Sequence, residues 1–586
     1  MKILFFMHHL GSFRMYESVV RLMAQRGHEV RVVTGRMEDL GWEKALDALV
    51  ATSPNVSWTS VDSEPDFWFD AGKTVRLWAD YLRYFEPDYV DTPKLLQRAE
   101  ERMPPALVSL SQSWAASPLL RRWLVGALRA CERALPRVPA IEAFIDDERP
   151  DLVLITPLVY LASVQMEVLR SAIALGYRTA FCVGSWDHLS SKALLREMPL
   201  RVIVWNETQR EEALRFHAVP PDRVVVTGAQ CYDQWFGRRP SRTRDAFCER
   251  VGLPPDRPFL LYVGSALFHG SPIEAEFVDR WVTELRQSAE PSMRDVLVLL
   301  RPHPSRAAEW ARVDFTRHAG VVVYGSNPVD KAAKDDYFES LYYSAAVVGL
   351  NTSAFLEGAI VGRPVHTILL PEFHENQEGT LHFRYLFTVG GGVLEAGRSF
   401  AEHHRLLAAS VARAGADDQS RRPFVGAFVR PLGLDVVATD VFVDEIEKMA
   451  GLPAPVPTPV RRRDAAFRVL LMGPALRLAR WAFGARVMRV EWSERARARV
   501  QRQELGERER AARQHASEQA QAAKLQRQAD ARASRDARVA ADRAAKLAAQ
   551  ADRVRQKERR RRAKGRAQWR HRVLRVLRRP WQGQSH

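Results

Sequence analysis

Arg301-Pro302-His303-Pro304 follows the apolar run Val296–Leu300, and about fifty residues later comes Asn351-Thr352-Ser353, with Glu357 one turn further on. The first group sets a guanidinium and an imidazole at the carboxyl end of a strand, with two prolines limiting the freedom of the imidazole's backbone. The second sets an amide and two hydroxyls at the start of a helix that closes at Gly362-Arg363-Pro364. Helix starts carry unpaired N–H groups and partial positive charge, and open α/β sheets bind ligands beyond the carboxyl ends of their strands. Together the two groups could hold a nucleotide diphosphate. Each residue also suits a plainer role: His303 as a turn histidine, Arg301 in an ion pair, Thr352 and Ser353 as N-caps.

The surrounding pattern supplies elements to position them. A strand at 2–7 leads through Gly11 into an amphipathic helix bearing Met15, Val19, Leu22 and Met23, and Gly27-His28 precedes a strand at 30–34. This βαβ opening predicts a parallel sheet. Residues 75–135 read as helical, with leucines and tryptophans among arginines. Strand signals return at 152–155, 179–183, 202–205 and 224–226. A second alternating unit has strands at 259–263, 296–300, 321–324, 347–349 and 365–368. The expectation is an α/β chain of two facing Rossmann-like domains, 1–235 and 236–455, with a cleft between them.

Composition separates this body from a basic tail. The net charge is +17 over 586 residues, yet residues 461–586 carry +24 and residues 1–460 carry −7. A nucleic-acid-binding body is not expected. Beyond the proline-rich 453–457, residues 461–490 form a basic amphipathic stretch with Phe467, Leu470, Trp481 and Phe483. Residues 492–586 are rich in Ala, Arg, Gln and Glu, with high helix propensity but no sustained heptad. The basic segments 461–490 and 570–581 suit an anionic membrane surface; a solvated charged helix or phosphate contacts with nucleic acid are the alternatives. Cys131, Cys182, Cys231 and Cys248 lack the spacing of a zinc site or disulfide scaffold and read as reduced thiols. The apolar start lacks a cleavage signal, and no apolar run of about 18 residues predicts a membrane span. A cytoplasmic protein, attached peripherally to the inner membrane face, is expected.

Trp186-Asp187-His188-Leu189-Ser190-Ser191-Lys192 completes a set with His303-Pro304 and the stretch Thr352-Ser353-Ala354-Phe355-Leu356-Glu357. The three together resemble the CDP-glycerol glycerophosphotransferase and capsular-polysaccharide transferase group of GT-B-fold enzymes. That group carries Trp-His-Gly-Thr-Pro-x-Lys, His-Pro and Ser-Ser-x-x-x-Asp elements. Trp186 and Lys192 keep the group's spacing, with Asp187 at the position of its catalytic His and Glu357 at that of its Asp. The resemblance spans roughly residues 150–370. It implies transfer of a sugar or polyol phosphate from a CDP-, CMP- or UDP-type donor to a surface polysaccharide or lipid-linked acceptor. Asp187 in place of that His brings the site closer to sugar transferases that use a carboxylate base.

On that footing Asp187 is the expected general base, with His188 as the alternative and a turn or cap role as the plain reading. Lys192, Arg301, His303, Asn351, Thr352 and Ser353 are expected on the donor, and Glu357 on its ribose. His8, His9 and Gly11 follow the first strand and are expected on the acceptor side. The polar stretch 372–382 either closes over the donor or is a surface loop. Its ligands lack zinc spacing, and no Asp-x-Asp follows a strand, so neither metal nor cofactor is expected. A catalytically inactive membrane-associated binding protein, and a nucleotide-sugar 2-epimerase-like isomerase, are the competing functions.

Overall fold

The computed structural model describes residues 1–35, 41–61, 67–115, 117–161, 163–414, 419–457 and 541–574, with isolated residues at 465–466, 469–470, 535 and 538. Most of 461–490, all of 492–534 and the stretch 575–581 lie outside the described residues, so most of the expected membrane segments do too.

Two parallel sheets organise residues 1–457. The first joins β1 (Lys2–Met7), β2 (Glu29–Thr34), β3 (Val56–Ser60), β4 (Leu152–Thr156), β5 (Arg178–Cys182), β6 (Arg201–Val204) and β7 (Val224–Val226) in the order β3-β2-β1-β4-β5-β6-β7. The second joins β8 (Phe259–Val263), β9 (Leu297–Arg301), β10 (Val321–Val323), β11 (Ala346–Val348), β12 (Val365–Ile368) and β13 (Leu394–Gly397) in the order β10-β9-β8-β11-β12-β13. Every strand pair is parallel. These are two Rossmann-like α/β domains, the GT-B-like arrangement expected from the sequence. Both faces of each sheet are covered, so β4, β8 and β9 are buried at every residue.

In each sheet the strand order reverses once, between β1 and β4 and between β8 and β11. Such switch points open crevices at the carboxyl ends of the strands. Trp186, after β5, meets His382 of the second domain with ring centroids 4.9 Å apart, so the two sets of strand ends face each other.

The sequence pattern located eleven of the thirteen strands, with ends displaced by a residue at several. β3 and β13 were not anticipated: Val-Ser-Trp-Thr-Ser and Leu-Glu-Ala-Gly are short edge strands with few apolar residues. Met15 is not in the helix Glu17–Gln25 but ends a 3₁₀ turn, Leu10–Met15. The helical stretch 75–135 is four separate helices, Phe67–Arg83, Pro93–Glu100, Pro105–Ala115 and Pro118–Ala134; proline opens each of the last three.

Helix Ala438–Ala450 follows the second domain in sequence yet packs on the first. Phe442, Val443, Ile446 and Met449 enter the core formed by Tyr16, Val19, Val20 and Met23. Arg26 donates to Asp444 at 2.6 Å, and His28 bonds Glu447 at 2.8 Å. Each fully buried apolar side chain here contributes about 1.5–3 kcal/mol. This helix therefore clasps the two domains around the cleft.

Candidate functional site

The second domain's crevice is built for close approach of its strand ends. A Cβ on Gly264, just after β8, would lie 2.7 Å from the His303 backbone nitrogen. One on Gly349, after β11, would lie 2.8 Å from Thr352 Cγ2 and 3.0 Å from the Val263 carbonyl. Only glycine fits there, so the loops bearing His303 and Asn351–Ser353 flank the end of β8. They lie roughly two strand spacings, or about 10 Å, apart.

Within this crevice the expected donor residues divide. Arg301 is 4% exposed, and its guanidinium donates to Ser340 Oγ at 2.9 Å and to the Asp336 and Ser326 carbonyls, with the Tyr337 ring beneath it. It holds the loop ends together and is not offered to a ligand. His303 is half-buried; its Nδ1 accepts the Ser305 N–H at 3.3 Å and lies 2.8 Å from Ser305 Oγ. Burial, with Arg14 and Arg306 nearby, pushes its pKa down to about 4. At neutral pH it is therefore an uncharged imidazole with the proton on Nε2, a donor rather than a cation.

Thr352 Oγ1 accepts the Ala354 N–H at 3.3 Å, whereas Ser353 is exposed and its side chain caps nothing. Glu357, on the helix Ala354–Ile360, accepts the Tyr337 hydroxyl. Burial pushes its carboxyl up to about 7 against the pull of Tyr337 and Arg14.

The first domain's crevice gathers the other candidates. Asp187 Oδ2 lies 3.0 Å from Lys192 Nζ, and Oδ1 accepts the Ser185 hydroxyl at 2.7 Å. Burial opposes ionisation, but Lys192, His188, His382 and Ser185 outweigh it and hold the carboxyl well below the usual range. His188 is pushed down to about 4, by burial first and then by Lys192 and His9, and its buried Nδ1 has no partner. Tyr160 joins the two loops: His8 stacks on its ring at 5.2 Å, Lys192 lies over it at 5.5 Å, and His188 meets it edge-on at 6.0 Å. A Cβ on Gly11 would come within 3.0 Å of His9 Nδ1, so glycine lets the turn fold back over that imidazole.

Two side chains to which the sequence assigned no individual role, His382 and Arg14, connect the crevices. Asn351 Nδ2 donates to the Asn376 carbonyl at 2.5 Å and reaches His382 Nε2 at 3.5 Å. The other ring nitrogen of His382, Nδ1, is buried without a partner. Burial pushes the pKa of this ring down to about 4, against the pull of Asp187. The stretch 372–382 is accordingly tied down at Asn376, Gln377 and His382, while His374 and Glu375 are exposed. The second is Arg14, exposed, with no ion pair or side-chain hydrogen bond among the described residues, whose charge acts on both His303 and Glu357. Nothing local marks Arg14: it follows β1 by seven residues, and its partners are about 290 and 340 residues away.

The structure thus brings Asp187, His188, Lys192 and His8 together, and His303 with Glu357 around Arg14, with Asn351 reaching between the two groups. It does not bring Arg301 to the open crevice. Among the described residues no three His, Cys, Asp or Glu side chains converge as a metal-ligand set.

No family model matches the chain, and no curated protein matches it in sequence. Among solved structures it is similar to a glycosyltransferase from Rickettsia africae ESF-5, with 10% identity, a TM-score of 0.44, and coverage of 76% of this chain and 98% of that one. It is similar to the UDP-GlcNAc 2-epimerase of Methanocaldococcus jannaschii in complex with UDP-GlcNAc and UDP, with 11% identity, a TM-score of 0.43 and coverage of 76% and 99%. It is also similar to the S. aureus MnaA–UDP structure, with 12% identity, a TM-score of 0.42 and coverage of 77% and 97%. Likeness of this degree assigns no role to any residue.

Proposed function

We propose that this chain transfers a sugar or polyol phosphate from a pyrimidine-nucleotide-activated donor to a hydroxyl of a glycan or lipid-linked acceptor, at the cytoplasmic face of a membrane. What supports the reading is that the first domain's strand ends carry a half-enclosed carboxylate held ionised, Asp187, and an uncommitted guanidinium, Arg14, whose charge acts on the neutral N–H donor His303 of the second domain.

For a sugar donor, the acceptor hydroxyl oxygen attacks the carbon that bears the nucleotide. That C–O bond forms as the bond from carbon to the phosphate oxygen breaks. The hydroxyl proton passes to an Asp187 oxygen, and the electron pair of the broken bond leaves with the nucleoside diphosphate, or with the monophosphate when the donor is of the CMP type. For a polyol-phosphate donor, attack falls on phosphorus and a nucleoside monophosphate departs. In both cases negative charge builds on the departing phosphate, where His303 Nε2–H and Arg14 can donate.

Lys192 and the neighbouring imidazoles make Asp187 a weak base, so it takes the proton late, once bond formation has made the hydroxyl acidic. His188 Nδ1, buried and without a partner, is the second candidate acceptor for that proton.

The test is incubation of the full chain with CDP-, CMP- and UDP-type donors, with and without a glycan acceptor. Asp187→Asn and His303→Ala should each lower turnover by about 10²-fold or more. Turnover that survives both substitutions would overturn the site assignment. A product isomeric with the donor, formed without acceptor, would replace transfer by isomerisation.

A further inference from the structure

The helix Pro118–Ala134 leaves one side bare. Its inner stripe, Arg121, Leu124, Leu128 and Glu132, is buried; Leu124 and Leu128 pack on Ala79 and Leu82 of helix Phe67–Arg83. At about 100° per residue, Leu119, Trp123, Gly126 and Ala130 share the opposite stripe, and Arg122, Arg129 and Arg133 run along its edge. Leu119 is 79% exposed, Trp123 65% and Leu120 48%; Leu110, on the preceding helix Pro105–Ala115, adds to the patch at 37%.

The exposed charges that the helix itself contributes are all positive. Over residues 105–134 the only acidic side chain is Glu132, buried within 4 Å of Arg76 and Arg196. Arg121 is turned inward to Glu86 at 3.0 Å. Arg122, Arg129 and Arg133 make no ion pair among the described residues and are exposed. The outer face is leucine, tryptophan and small residues edged by exposed arginines, with Glu86 beside Arg121 and the half-buried Glu197 acting on Arg133 as the neighbouring carboxylates. It matches a surface with an apolar interior and anionic headgroups. Of the stripe Leu119, Trp123, Gly126 and Ala130, the hydrogen-bonding group is the Trp123 indole N–H, an amphipathic ring of the kind that sits at a headgroup boundary.

We propose that this helix is a peripheral membrane contact that lies flat on anionic lipid, with Leu119, Leu120 and Trp123 entering the headgroup boundary and the three arginines pairing with phosphates. The contact stands independently of the chemistry proposed for the cleft. It has a consequence for that chemistry, because the supporting helix Phe67–Arg83 reaches the Asp187 loop. Arg83 donates to the Leu189 carbonyl at 2.6 Å and the Lys192 carbonyl at 2.9 Å. Docking would therefore fix the acceptor side of the cleft close to the lipid surface.

The deciding experiment is hydrogen exchange on the full chain with vesicles of phosphatidylcholine alone, or with roughly one-third phosphatidylglycerol. Slowed exchange across residues 118–133 should appear with the anionic vesicles only. Leu119→Ser/Trp123→Ser should abolish it, and Arg122→Glu/Arg129→Glu/Arg133→Glu should weaken it by at least about fivefold per arginine. Chain bound to anionic vesicles with 118–133 exchanging as freely as in solution would overturn the proposal. So would protection that grows with protein concentration in the absence of vesicles, which would assign the face to a second copy.

Discussion

Replacing Lys192 with methionine removes the nearest cation from Asp187 while keeping most of the side chain's volume. At 3.0 Å the attraction between unit charges is about 1.4 kcal/mol with bulk-water screening and about 5.5 kcal/mol at an effective dielectric of about 20. Both side chains are about one-fifth exposed, so the net loss falls between the surface and buried limits, about 1–3 kcal/mol. That corresponds to a fall in melting temperature of about 2–6 °C at pH 7.

The pH dependence follows from the direction of the shift. In the wild-type chain the folded carboxyl lies well below its ordinary value. Its contribution is complete above the unfolded pKa of about 3.9 and is lost only as pH falls through the lower folded value. It is constant between pH 5 and 8. Without Lys192, burial of the carboxyl prevails and the folded value rises, so the variant regains stability as pH falls and the site takes up a proton. His188 and His382, also relieved of Lys192, protonate more readily and act in the same direction. Melting curves of Lys192→Met, Asp187→Asn/Lys192→Met and wild type at pH 5, 6, 7 and 8 test this. The gap between single variant and wild type should be widest at pH 7–8, narrow towards pH 5, and be much less pH-dependent in the double variant. A gap of equal size at all four pH values, or none, would refute the electrostatic account of Asp187.

Three further outcomes are expected. Arg14→Met should weaken nucleotide diphosphate binding roughly 10-fold or more, the loss of one charge-assisted hydrogen bond, and reduce its salt dependence, both read by calorimetric titration. Glu357→Gln should melt about 2–4 °C above wild type at pH 8 and level with it near pH 4, because a carboxyl raised to about 7 loses stability as pH climbs from its unfolded to its folded value. Gly325→Ala should destabilise the second domain by about 1–3 kcal/mol, since its φ is +114° and an added Cβ would strike the Arg301 guanidinium. Thermal melting reads this directly.

Much of the fold was legible because buried parallel strands such as Leu-Val-Leu-Ile-Thr and Phe-Leu-Leu-Tyr-Val are continuous apolar runs between turn signals. The edge strand at 56–60 was not, because with one neighbour and partial exposure its residues need not be apolar. The site shows the same division. His303 and Asn351 were found because each follows a recognisable strand, and Asp187 because Trp186 and Lys192 keep the spacing of a known motif. Arg301 shares that position, but the direction of its guanidinium depends on Ser340 and Ser326, on other elements. Arg14 and His382 acquire meaning only when the two sheets face each other, a relation that local periodicity does not encode.

The most direct measurement is a calorimetric titration of the full chain with UDP, CDP, CMP and GDP, repeated with His303→Ala. The account expects a pyrimidine nucleotide to bind with an affinity that the substitution lowers at least about 10-fold. Because the imidazole is neutral above about pH 4, His303 should contribute no pH dependence between pH 6 and 8. Failure of every nucleotide to bind, or equal affinity in wild type and His303→Ala, would contradict the assignment of the cleft as a nucleotide-donor site.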